Sequence, residues 1–204
     1  MKKIIAASLL AFAAIGASAA ELVTNGGFED GGAGWDSTAT VGFAPISAYI
    51  NCCGIDGSAY PAANGVAAAF FGWGQMAGGT LFQDLTTVAN QTYTVNFSYG
   101  AISGSALQTL TVEASNGQSL LSSLGVSAYG TTNQAALVSP YSFTFVATGT
   151  STRLLFRDTS LTSDNTDALV DNVSVAAAVP EPETYAMLLA GLGLMGLVAR
   201  RRKA

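Results

Sequence analysis

The stretch Thr92-Tyr-Thr-Val-Asn-Phe-Ser-Tyr99 decides how this chain is read. Tyr93, Val95, Phe97 and Tyr99 fall on one parity, and Thr94, Asn96 and Ser98 fall on the other. Aromatic and β-branched side chains alternating with short polar ones at period two predict a strand with one buried face. Working outward, the theme returns at Val66–Trp73, Thr80–Leu85, Leu107–Glu113, Tyr141–Ala147, Arg153–Phe156 and Ala168–Val175, with Ser/Gly/Thr/Asn loops between. In Val66–Trp73, Phe71 and Trp73 are expected to oppose Phe70. Glu21–Trp35 reads as a short strand followed by glycine turns, and Ser37–Ile50 as a polar alternating segment around Val41, Phe43 and Ile46. Ser115–Ser139 reads as a long polar loop in which Leu120, Leu121 and Leu124 could form one further strand. No part of this region carries a 3.6-residue period. Eight or nine short strands without helices predict an all-β, two-sheet antiparallel sandwich.

The two ends of the chain read differently. Met1-Lys2-Lys3, the apolar Ile4–Ile15 and the small residues Ala17-Ser-Ala-Ala20 have the order of a secretory signal peptide. Cleavage after Ala19 or Ala20 fits equally well; we place it after Ala20, and so expect export. At the other end Pro180-Glu-Pro182 precedes an uncharged apolar run, Tyr185–Ala199, and then Arg200, Arg201, Arg202 and Lys203. As a helix that run reaches only about 23 Å, short of a hydrocarbon core about 30 Å thick, so it is a marginal span. The basic cluster orients it with its C-terminus in the cytoplasm. The expected organisation is therefore a signal peptide at 1–20, a sandwich domain at 21–178 and a tail at 179–204.

Charge narrows the partners. Between the two ends there is no lysine, and only Arg153 and Arg157 stand against eleven acids, a net of −9. That excludes a nucleic-acid footprint and makes an anionic lipid surface a poor partner. The chain has no histidine, which removes histidine-dependent triads and histidine-bearing zinc sites. Chemistry is left to carboxylates, hydroxyls and the two cysteines. Cys52 and Cys53 are adjacent, with α-carbons about 3.8 Å apart, below the usual disulfide window. A strained ring, intermolecular bonds and free thiols all remain open for them. Asp84 and Glu113 could supply a two-carboxylate glycosidase, but nothing in their spacing pairs them, and a non-enzyme is expected. Asp158–Asp167 holds three acids in ten residues without the ligand register of an EF-hand, and reads as a solvated acidic loop. Trp35, Tyr49, Tyr60 and Tyr129 lie outside the clear core strands and are the candidates for a sugar-stacking platform.

Two resemblances add to this. The Pro-Glu-Pro motif, the short apolar run and the terminal basic residues together resemble the PEP-CTERM sorting signal of bacterial exported proteins. The resemblance implies transient anchoring in the inner membrane, processing by an exosortase near Pro180-Glu181-Pro182, and delivery to the cell surface or extracellular matrix. Separately, Asn25-Gly-Gly-Phe-Glu29 near the start and Leu169-Val-Asp-Asn-Val-Ser-Val175 near the end resemble the terminal strands of a galactose-binding-like jelly roll, a superfamily rich in carbohydrate-binding modules. That likeness implies that the terminal strands lie side by side and that a structural calcium ion is held by Glu29 and Asp171. The expected role is non-catalytic polysaccharide binding, with a structural biofilm-matrix or adhesion protein as the alternative.

Overall fold

In the computed structural model, residues 19–45, 65–72, 76–102, 104, 106–130, 139–163, 165–178, 191–193, 195 and 201 are described. Among these residues period-two patterning becomes ten strands: β1 (Asp36–Ser37), β2 (Val41–Pro45), β3 (Ala67–Phe71), β4 (Thr80–Thr86), β5 (Thr92–Ile102), β6 (Leu107–Ser115), β7 (Leu120–Tyr129), β8 (Ser139–Val146), β9 (Ser151–Asp158) and β10 (Asp167–Ala177). They form two five-stranded sheets with orders β1-β4-β9-β6-β7 and β2-β3-β10-β5-β8, and every pairing is antiparallel. The chain divides into two units, Ala20–Ala178 and the two ends taken together. The sandwich is the first of these.

The core lies where the inward parities of the two sheets meet. Tyr93, Val95, Phe97 and Tyr99 of β5 are all buried, as the alternation predicts. Phe97 meets Phe156 of β9 edge-on at 5.5 Å between ring centroids, and stacks on Tyr141 of β8 at 5.6 Å. Aromatic pairs in such geometries add about 0.5–1.5 kcal/mol each beyond the area they bury. β3 departs from the half-buried reading, because Phe70 and Phe71, on opposite parities, are both closed to solvent. Ser115–Ser139 is also not simply a loop: its leucines belong to β7, ten residues paired along β6 from Leu107↔Tyr129 to Ser115↔Leu120.

The chain's first residues are bound to its last strand. Glu21 bridges Ala176, Leu22 N–H donates to Val175 O, and Glu21 Oε1 accepts the amides of Val23 and Val175 at 2.9 and 2.7 Å. Between Asp171 and Ser174 the register of β10 against β5 shifts, with Asn172 in the left-handed region at φ 53°. Asparagine tolerates that conformation better than most residues. The bulge leaves the Val173 N–H free of β5, and it donates to Gly26 O at 2.9 Å. A side chain at Gly26 would put its Cβ 1.9 Å from Val173 O, so only glycine allows this approach. The chain's start does lie beside its last strand, but not as a strand: Glu21 makes a single bridge and Asn25–Glu29, expected as a terminal strand, is a turn.

Beyond Gly26 the turn is held from two sides. Gln83 of β4 accepts the Thr24 amide at 2.8 Å and donates Nε2 to Thr24 O and Gly34 O. Asn25 donates Nδ2 to Gly31 O at 2.9 Å. The turn thereby drives Phe28 and Trp35 into the core beside Phe156.

The expected signal peptide falls almost wholly outside the described residues. So do Cys52, Cys53, Pro180, Glu181, Pro182, Arg200, Arg202 and Lys203; Arg201 is described and exposed. Among the described residues no helix is long and apolar enough to cross a membrane.

Candidate functional site

The outward face of the β1-β4-β9-β6-β7 sheet collects the body's two cations. Arg153 and Arg157 are four residues apart on β9, so both project from the same side, opposite to the buried Leu154 and Phe156. Register brings Asp84 of β4 opposite Arg153, and Phe82 of β4 and Glu113 of β6 to either side of Leu155. Arg153 Nε and Nη2 donate to Asp84 Oδ1 and Oδ2 at 2.8 and 2.7 Å, a two-pronged clamp. The guanidinium also lies over the Phe82 ring, 3.9 Å from its centroid. Arg157 Nε stands 3.7 Å from Glu113 Oε1, an ion pair without a hydrogen bond. At one end of the face Tyr129 is 64% exposed, paired with Leu107 at 51%.

This arrangement has a definite chemical character. Leu155 and the edge of Phe82, whose ring lies under the Arg153 guanidinium, are its half-buried apolar part, and the flanking ion pairs supply donors and acceptors. The Arg153 hydrogen bonds hold the Asp84 carboxyl below the usual carboxylate range, outweighing the opposing effect of its partial burial. A glycosidase acid needs the opposite shift, upward, so that it carries a proton at neutral pH. Asp84 and Glu113 do share one face, but on strands separated by β9, and an arginine faces each of them.

The residues expected to stack on sugar divide. Trp35 is 8% exposed, packs on Phe28 and Phe156, and donates Nε1 to Asn25 O at 3.1 Å. It is a core residue, because the turn at 24–35 folds inward rather than presenting its tip. Tyr129 is on the surface. Tyr49 and Tyr60 lie outside the described residues. Phe82, Arg153 and Arg157 are not among the residues expected to bind sugar. Their signal was present: they share the outward parity of two adjacent strands, and the arginines are the body's only positive charges.

The two carboxylates of the implied calcium site come to the same part of the fold. Glu29 Oε1 accepts the amides of Val66 and Ala67 at 2.8 and 3.0 Å, an approach that Gly65 permits because a Cβ there would sit 2.0 Å from that oxygen. Asp171 is fully buried one residue beyond the β10–β3 pair Val170↔Ala69, and its Oδ1 accepts the Asn172 amide at 2.7 Å. Among the described residues no three acids gather in a metal-binding cluster. Asp158, read as part of a solvated acidic loop, is instead 5% exposed. Its two oxygens accept the amides of Gly78 and Ser160, each at 2.9 Å, tying the β3–β4 and β9–β10 connections together. On the other sheet a groove of about 320 Å³ is lined by Asn96, Ser98, Pro140, Ser142 and Asn172, with the Phe97 and Tyr141 positions beneath.

Comparison with known proteins bears on the two parts separately. Residues 178–203 match the family model of the PEP-CTERM protein-sorting motif. No curated protein matches the chain. Among solved structures, the body is similar to a family 61 carbohydrate-binding module in complex with β-1,4-galactotriose, at 12% identity and TM-score 0.53, covering 78% of this chain and 99% of that one. It is also similar to a tandem of two family 22 carbohydrate-binding modules from Paenibacillus barcinonensis, at 16% identity and TM-score 0.50, covering 83% of this chain and 49% of that one. A third likeness, at 16% identity and TM-score 0.53, is to an arabinose-bound α-L-arabinofuranosidase, of which this chain spans 26%. The fold is thus the jelly-roll β-sandwich of carbohydrate-binding modules, carried on a chain with a PEP-CTERM sorting motif.

The Asp84–Arg153 clamp has a pH signature. A carboxyl whose pKa is lowered on folding stabilises the fold above its unfolded value of about 4, and that contribution is lost as pH falls through the lower folded value. Both partners are substantially exposed, so Asp84→Asn should cost no more than about 1 kcal/mol at pH 7. Thermal melts of the two proteins should converge as the pH is taken below about 4.

Proposed function

We propose that residues 21–178 form a non-catalytic polysaccharide-binding domain, exported behind a signal peptide at 1–20 and sorted to the cell surface by the motif in 179–204. The observation that carries the binding reading is the Arg153–Asp84 clamp stacked on Phe82. A pyranose ring offers an apolar face and a rim of hydroxyls. Leu155 and the planar Arg153 guanidinium, backed by Phe82, suit the first, and the oriented ion pairs suit the second. Tyr129 stands on the same outward face, at its far end opposite Leu107. Exopolysaccharide of the producing cell is the ligand class that fits a domain delivered to that surface.

Affinity electrophoresis and calorimetry against that polysaccharide test the reading. Wild type should bind and release no new reducing ends. Phe82→Ala and Arg153→Ala should each weaken binding by about tenfold or more, the scale of about 1.4 kcal/mol for one lost contact. Tyr129→Ala should have a smaller effect. Binding indifferent to both of the first two changes would move the site elsewhere.

The tail serves as an address, and we infer that it is removed near Glu181 by an exosortase after transient anchoring in the inner membrane. Mass spectrometry of the surface-delivered protein should then lack peptides containing Leu192 or Met195. Their recovery would mean a retained anchor.

A calcium ion at Glu29 and Asp171 is part of the same proposal. The donors there are hard oxygens, as calcium prefers, and with only two carboxylates the shell would be completed by carbonyls of the glycine-rich turn and by water. Bound, the ion would brace the first turn against β10. EGTA should lower the melting temperature of wild type and leave that of Glu29→Gln unchanged. A wild-type transition insensitive to EGTA removes the ion.

A further inference from the structure

One end of the core is polar, and its polar side chains face inward. On β9 the inward parity that carries Leu154 and Phe156 ends on Asp158, which is 5% exposed. On β6 the inward parity begins with Gln108, and on β5 it reaches Tyr99; both are closed to solvent. The packing of the sheets sets these three in one layer. Tyr93 OH accepts the amide of Val88, and the neighbouring Thr87 bonds to Thr152. Two inward positions further along both strands Phe97 meets Phe156, and the next pair is Tyr99 with Asp158. Asp158 is paired with Leu110, so Gln108 is the next inward neighbour on β6. The β9–β10 connection closes over this layer: Ser160 donates its amide to Asp158, Gln108 donates Nε2 to Thr162 O at 3.0 Å, and Ser163 is 2% exposed.

Three oxygens here have no hydrogen-bond partner among the described residues: Tyr99 OH, Gln108 Oε1 and Ser163 Oγ. Buried polar atoms are nearly always satisfied, by water or an ion where the protein supplies nothing. Asp158 is an independent sign. Its oxygens accept the amides of Gly78 and Ser160, neither of them charged. The body's two cations leave β9 on the opposite face, where Arg153 and Arg157 meet Asp84 and Glu113. Burial, and after it the charge of Asp158, hold the Tyr99 hydroxyl well above its ordinary range, so it remains a neutral oxygen. A buried charge is ordinarily paired or coordinated to a metal ion.

We propose that Asp158, Tyr99, Gln108 and Ser163 bind a monovalent alkali-metal cation beneath the β9–β10 connection. All four offer oxygen, the donor that hard cations prefer. The single carboxylate sets the valence, because one negative charge is balanced by a monovalent ion, whereas a divalent ion would leave a net positive charge buried. A water molecule would satisfy the hydroxyls but would leave the carboxylate uncompensated. The ion ties β9, β6 and β5 to the connection above them, and so joins the two sheets at this end. The site shares no residue with the Glu29–Asp171 pair.

Thermal melts of the full chain in detergent test this, with sodium chloride set against choline chloride at equal ionic strength. Sodium should raise the melting temperature saturably, by about 3–6 °C once its concentration is about ten times the dissociation constant. Glu29→Gln should keep this response and EGTA should not remove it, which separates the ion from calcium at the other pair. Asp158→Asn should abolish the response. Tyr99→Phe, which keeps the ring in the core, should need about tenfold more sodium, the scale of one lost contact. Should Asp158→Asn not fold, Tyr99→Phe and crystals soaked in thallium(I), a heavy stand-in for the alkali ion, decide the matter: anomalous density should stand among the four oxygens. A melting temperature no higher in sodium than in choline overturns the proposal. So does a sodium response unchanged in Tyr99→Phe, or a position that refines as water alone.

Discussion

The sandwich depends on one hydrogen bond that a regular sheet would not make, from the Val173 amide to the Gly26 carbonyl. It exists because β10 bulges at Asn172 and because residue 26 has no side chain. Around it the other restraints fall into place. Glu21 holds the far end of the same strand, Gln83 ties the turn to the opposite sheet, and Glu29 caps the first amides of β3. The first fifteen residues of the body therefore reach both sheets and bring Phe28 and Trp35 between them. A buried backbone amide left without this partner would cost about 1–3 kcal/mol, and the two aromatic rings behind it would lose their anchor as well.

Much of this was legible in the sequence because it rests on local pattern. β5 announces itself by four large residues on one parity; the Asn-Gly-Gly-Phe-Glu and Asp-Asn-Val motifs pointed to neighbouring chain ends only through their resemblance to a jelly roll, and the first of them is a turn, not the strand expected. What was not legible is what depends on partners far along the chain. β7 has serines and a glycine where β5 has aromatics, so its signal is weak until β6 fixes its register. Trp35 looks like a surface tryptophan until the hydrogen bond to Asn25 folds its turn inward. Asp158 looks solvated until two amides from different connections close on it.

The outward face of β4, β9 and β6 shows how a strongly acidic body can concentrate its positive charge. Both arginines emerge from one strand, and each faces a carboxylate on a neighbouring strand. Arg153 is further constrained by the Phe82 ring beneath it, so the donors it offers are oriented before anything binds. If the face binds as proposed, such preorganisation would reduce the ordering cost of recognition. The sheet beneath gives the face its rigidity, since β9 is paired on both sides along its length.

β10 also determines how the domain would carry a mechanical load. It is flanked by β3 and β5, keeps nine paired positions with β5, and runs directly into the segment that follows Ala178. Tension entering from that segment acts along the strand axis, perpendicular to its ladder hydrogen bonds. The bonds are then strained together in shear rather than opened one at a time like a zipper. The bridge from Glu21 to Ala176 adds a further strut at the point of entry. A domain pulled by a bound polymer and restrained through its C-terminal strand would therefore yield abruptly and at high force, not by gradual fraying.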